Sequence, residues 1–91
     1  MTFTATHTRR FIGTDITATV NAGVKESIAA VTVTYDGELL EEQEFADGTE
    51  SYSRTFAQVG GSSPGAEHTL VVTAVDAGGA PHSATTRWSD G

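Results

Sequence analysis

The chain has 91 residues and a mass of 9.5 kDa, and its 12 acidic and 5 basic side chains give a formal net charge of −7. Folded area growing as about 6.3 M^0.73 Å² buries roughly 63% of the unfolded surface, enough for one modest core and not for a second. Cysteine is absent, which excludes disulfides, Cys-ligated zinc, iron–sulfur clusters and thiol nucleophiles, and the acid excess disfavours nucleic acid and anionic membranes, which call for a basic footprint.

Thr2 to Arg9 reads as a weak first strand. It has neither the charged start nor the apolar run of an export signal, and no later run approaches the roughly 20 apolar residues that span a bilayer. The sequence therefore predicts an unexported chain, cytoplasmic or virion-borne. An extracellular or cell-surface location stays open for a piece of a longer exported polypeptide. Asp15 to Ala22 alternates Ile16, Ala18, Val20 and Ala22 with Thr17, Thr19 and Asn21, the period of a half-buried strand. Ile28 to Tyr35 repeats the pattern, with Val31, Val33 and Tyr35 inward and Thr32 and Thr34 outward. Asp36-Gly37 then supplies the two residues of a type I′ hairpin turn.

Glu38 to Ala46 is in local conflict, because its Leu, Glu and Gln residues are helix formers. Nine residues are too few for a self-supporting helix, and the preceding hairpin signal favours a charged edge strand. Ser51 to Val59 alternates Tyr52, Arg54 and Phe56, His68 to Asp76 alternates Leu70, Val72 and Ala74, and His82 to Trp88 alternates Ala84, Thr86 and Trp88. Further turns are predicted at Gly13-Thr14, Asn21-Ala22-Gly23, Asp47-Gly48, Gly60 to Gly65 and Asp76 to Gly79. The sum is a single all-β domain over residues 1–91, a seven-stranded antiparallel immunoglobulin-like β-sandwich whose core takes Val20, Val31, Val33, Phe56, Leu70, Val72 and Trp88.

Two stretches carry a resemblance. AEHTLVVTAVDAGGAPHSATTRWSD (66–90) resembles the last hairpin of bacterial immunoglobulin-like and fibronectin type III-like modules, and VTVTYDGELL (31–40) resembles their third strand and its hairpin. The chain departs from those modules in having Ala80 where Asn is usual after the turn glycine, no Trp on the third strand, and no disulfide pair. The resemblance implies a noncatalytic spacer, adhesive unit or attachment within a surface, secreted or virion assembly, with neighbouring domains or a protein as partner, no cofactor, and a monomer in isolation.

Candidate chemistry is sparse. Gly61 to Gly65 matches G-x-S-x-G, yet Ser63 precedes Pro64 in a polar loop where a nucleophile elbow needs a strand running into a helix. His7, His68 and His82 lack the spacing that places two metal ligands on one face, although His68 and His82 could pair across the last hairpin. Six acids (Glu38, Glu41, Glu42, Glu44, Asp47 and Glu50) fall within residues 38–50 with no basic residue among them. They read as a soluble sheet edge, or as a docking face for a basic partner. Antiparallel topology gathers the loops at 21–27, 47–50 and 76–80 at one end. There Asn21, Glu26, Asp47, Glu50 and Asp76 are candidates for partner binding and, more weakly, for calcium. Trp88 and Tyr52 could stack a sugar, but a core this small has need of its rings, Phe3, Phe11, Tyr35, Phe45 and Phe56 included. The alternative to a spacer is a stand-alone protein- or carbohydrate-binding domain that uses those three loops.

Overall fold

The computed structural model describes residues 1–60 and 65–89. Alternating apolar and hydroxyl residues form seven strands: β1 (Thr2–Arg9), β2 (Thr14–Asn21), β3 (Ile28–Tyr35), β4 (Glu38–Thr49), β5 (Ser51–Val59), β6 (Glu67–Asp76) and β7 (Pro81–Ser89). All pairings are antiparallel, in sheets of order β1-β2-β5 and β4-β3-β6-β7. Their faces pack as an immunoglobulin-like sandwich. Among the described residues there is no helix, so no helix is long and apolar enough to cross a membrane.

The core follows from the pleat. Ile16, Ala18 and Val20 of β2 meet Val31, Val33 and Tyr35 of β3 and Leu70, Val72 and Ala74 of β6, with Tyr52 and Phe56 from β5. Each fully buried aliphatic side chain contributes about 1.5–3 kcal/mol. Asp36 and Gly37 both adopt positive φ (51° and 82°), as a type I′ turn requires, and join β3 to β4 with no further residues.

Glu38 to Ala46 is a sheet edge, paired on one side with β3. The strand runs further than its composition suggests, to Thr49, so the turn predicted at Asp47-Gly48 is corrected. The register shifts between Ile28↔Thr49 and Ala30↔Glu44, and Gly48 takes φ 73° within this bulge. The bulge swings the chain off the four-stranded sheet, and after Glu50 it continues as β5 of the other sheet.

Each open flank of the sandwich is closed by a contact between sheets. On one, Arg54 of β5 bonds Glu41 of β4, its guanidinium lies 5.3 Å from the Phe56 ring, and Phe45 meets Tyr52 edge-on at 6.4 Å. A basic residue thus reaches the acidic strip from the facing sheet, and Glu41 keeps only 11% of its side chain exposed. On the other flank His7 of β1 stacks on Trp88 of β7, centroids 4.2 Å apart. Trp88 is half-buried and packs against the core with Tyr35 at 5.8 Å. The expectation that the rings are all needed inside fails at Phe11, which is 97% exposed.

Candidate functional site

The loops after β2 and β6 and the end of β4 meet at one pole of the molecule. Ala22 donates its N–H to the Glu50 carbonyl at 2.8 Å, and Ser27 lies against Gly48. Shallow clefts run beside this seam, one between Glu26 and the Asp76–Gly78 turn and another between Ser27, Phe45 and Asp47. The gathering of the loops at 21–27 and 76–80 therefore matches the topological expectation, with the bulged end of β4 standing where a loop at 47–50 was expected.

Their carboxylates are largely committed to the backbone. The Glu26 carboxylate accepts the Gly23 N–H and faces the Met1 amino group, both at 3.3 Å, and these two contacts hold its pKa below the ordinary value. Asp76 closes the β6–β7 turn. Its Oδ1 accepts the N–H groups of Gly78 (2.9 Å) and Ala80 (3.0 Å), while Oδ2 lies 2.9 Å from His82 Nε2. The bond to His82, followed by the bond from Ala80, holds the Asp76 carboxyl below the usual range. Asp47 and Glu50 are exposed, and so is Asn21 at the end of β2. Among the described residues, no three acidic or histidine side chains come together in a way that could hold a metal ion.

The histidines are dispersed. His68 stands opposite Trp88 in the β6–β7 ladder and His82 opposite Ala74, so the pairing across the last hairpin that the sequence left open does not form: they lie at opposite ends of it. His68 instead serves the far pole. Its Nδ1 is 2.7 Å from Asp36 Oδ2, Asp36 Oδ1 accepts the Thr69 N–H at 2.8 Å, and the His68 ring stacks on Tyr35 at 5.3 Å. This pins the β3–β4 turn to β6. Tyr52 is buried, which pushes its phenol pKa up, and Trp88 is covered by His7, so neither ring offers a free face for a sugar. Ser63 lies outside the described residues.

The sequence reading missed the outward apolar side chains. Phe11 and Ile12 (97% and 63% exposed) sit at the tip of the β1–β2 turn, and Val24 (91%) sits at the loop pole. Arg9 pairs with Thr14 and Arg10 bonds Gly13, so Phe11 and Ile12 are the two residues left over by the ladder. That count was the available signal, because a two-residue turn between paired strands projects its side chains into water. Comparison with family models, with curated proteins and with solved structures finds no match.

Proposed function

We propose that the chain is a noncatalytic module of the bacterial immunoglobulin-like or fibronectin type III-like kind, which links and spaces neighbouring parts of a larger assembly. The observation that carries this reading is the placement of its ends. The Met1 amino group contacts Glu26 at the loop pole, whereas Ser89 pairs with Glu67 at the other pole of a molecule measuring 43 × 19 × 17 Å. A chain entering at one pole and leaving at the other transmits distance along its length. Short strand-to-strand connections and two cross-sheet locks resist bending. The three-plus-four strand distribution supports the same reading, and so does the commitment of Glu26 and Asp76 to their own turns.

Two copies joined from Ser89 of one to Met1 of the next test it by small-angle scattering. A spacer gives a maximum dimension near twice the 43 Å of one module. A pair folded side by side would remove the reading.

A second reading, a protein- or carbohydrate-binding domain, draws on the meeting of the loops at 21–27 and 76–80 with the end of β4 at one pole. Asp47→Lys and Glu50→Lys probe it cleanly, since neither carboxylate braces a turn, whereas Glu26 and Asp76 do. Loss of a defined partner with the fold intact would favour this second reading.

A further inference from the structure

We propose that Asp47 is a modification site of the folded chain: its side-chain carboxyl condenses with the backbone nitrogen of Gly48, and isoaspartate accumulates there in preference to Asp36. The proposal goes beyond the spacer reading and does not depend on it, because it concerns a single peptide link in β4.

The sequence offers this chemistry more than once. Asp-Gly occurs at 36–37, 47–48 and 90–91, the last outside the described residues. Glycine has no side chain to shield its nitrogen, so an aspartate that precedes it can close a five-membered ring. The protonated carboxyl of Asp47 and the N–H of Gly48 form a new C–N bond and release one water, which gives a succinimide. Water then adds back to either ring carbonyl. Opening at the side-chain carbonyl restores Asp47, whereas opening at the main-chain carbonyl leaves Gly48 joined to the β-carboxyl with the α-carboxyl free. The atoms balance, and nothing beyond water is consumed or returned.

The two described sites differ in how firmly the carboxylate is held. At the β3–β4 turn, Asp36 Oδ1 accepts the Thr69 N–H at 2.8 Å, Oδ2 lies 2.7 Å from His68 Nδ1, and the Asp36 N–H donates to the Thr69 carbonyl at 2.9 Å. Ring closure there must break both side-chain bonds, and bonds to an ionised carboxylate are the strong kind. Asp47 is exposed beside the shallow cleft of Ser27 and Phe45, and among the described residues nothing bonds its carboxylate. The main chain is freer there as well. Between the pairs Ala30↔Glu44 and Ile28↔Thr49, the four residues 45–48 of β4 stand against the single Ala29 of β3, so the ladder does not fix each of them. The peptide rotation that brings the Gly48 nitrogen to the Asp47 carboxyl costs least where the ladder is interrupted.

The position gives the product a consequence. One extra main-chain atom enters β4 just before Thr49, which pairs with Ile28, and Glu50, whose carbonyl accepts the Ala22 N–H. Isoaspartate at 47 therefore loosens the seam at the loop pole and leaves the β6–β7 ladder as it is.

The test is incubation of the whole chain at body temperature and mildly acidic pH, followed over weeks by peptide mapping. Endoproteinase Asp-N cuts before aspartate and not before isoaspartate, and electron-transfer fragmentation assigns the residue, so each Asp-Gly is read separately. In the folded chain Asp47 should convert at least about tenfold faster than Asp36, a difference of about 1.36 kcal/mol in barrier. In urea the two rates should become nearly equal, because the dipeptide is the same and the fold is gone. His68→Phe keeps a ring against Tyr35 and removes one bond to Asp36. Conversion at Asp36 should rise in that variant while conversion at Asp47 stays the same. Amide signals of Ala22, Ile28 and residues 48–51 should move in the aged chain, and those of the β6–β7 ladder should not. The proposal is overturned if folded Asp36 converts as fast as Asp47, or if Asp47 stays intact in the folded chain over the time in which the unfolded chain converts.

Discussion

The two poles of the sandwich use the same polar chemistry for different ends. At the loop pole, Glu26 and Asp76 turn inward onto backbone N–H groups and shape the connections after β2 and β6. At the tip pole, Asp15 and Asp36 brace two turns just as firmly, and one of those turns carries two apolar side chains outward. Acidity at the ends of a β-sandwich is thus no measure of ligand capacity. A carboxylate already holding two N–H groups has little left for a cation, while a turn made rigid by a carboxylate can display whatever lies at its apex.

The difference between display and support is sharpest in a pair of truncations. Leu70→Ala removes a side chain that is 1% exposed between the sheets and should cost about 2–5 kcal/mol. Phe11→Ala, of larger volume, should change stability by no more than about 0.5 kcal/mol. Urea unfolding of both variants checks this, and a large loss for Phe11→Ala would show that the tip is packed in solution. Next in size is Gly13→Ala. It forces positive φ on a residue with a Cβ and drives that Cβ into the Gln58 backbone, so stability should fall by about 1–3 kcal/mol and the tip amides should become mobile.

The poles should respond alike to acid. Asp15, through the Gln58 N–H and Arg10, and Asp76, through His82 and the Ala80 N–H, each have a folded pKa below the ordinary 3.8. The folded state therefore favours the ionised carboxylate. The resulting stabilisation is complete above 3.8 and disappears as pH falls through the lower folded values. Melting temperature followed from pH 6 to 2 should drop in that window, and Asp15→Asn or Asp76→Asn should each flatten part of the drop. An unchanged profile in both variants would deny the braces.

The smallest effect concerns the flank between β1 and β7. His7→Ala uncovers the indole of Trp88, so its emission should move to longer wavelength and quench more readily, with little change in stability. Emission identical to wild type would mean the stack does not persist.

Much of this architecture could be read from residue alternation. β2, β3 and β6 each place apolar residues at every second position over most of their length, and that period leaves one choice of inner face. The Asp36-Gly37 turn was legible because positive φ at two successive residues demands those residue types. Asp47-Gly48 carried the same grammar and misled, since Gly48 uses its freedom in a bulge where β4 leaves the sheet. Nothing local distinguishes these cases, because the difference depends on where the facing sheet lies. The candidate acids were placed at the correct pole by topology alone. Their hydrogen bonds were not foreseeable, because which carboxylate caps its own turn depends on backbone conformation. Phe11 escaped because composition argues that scarce aromatics belong inside, and only the count of residues between Arg10 and Gly13 places it at a tip.

The central claim is that the chain enters at one pole and leaves at the other. The absence of cysteine makes it directly measurable: Thr2→Cys with Ser89→Cys gives two unique sites for spin labels. Pulsed dipolar spectroscopy on this pair should give one narrow distance, well beyond the 19 Å width of the molecule and towards its 43 Å length. A distance at or below 19 Å would place both ends at one pole and contradict the account.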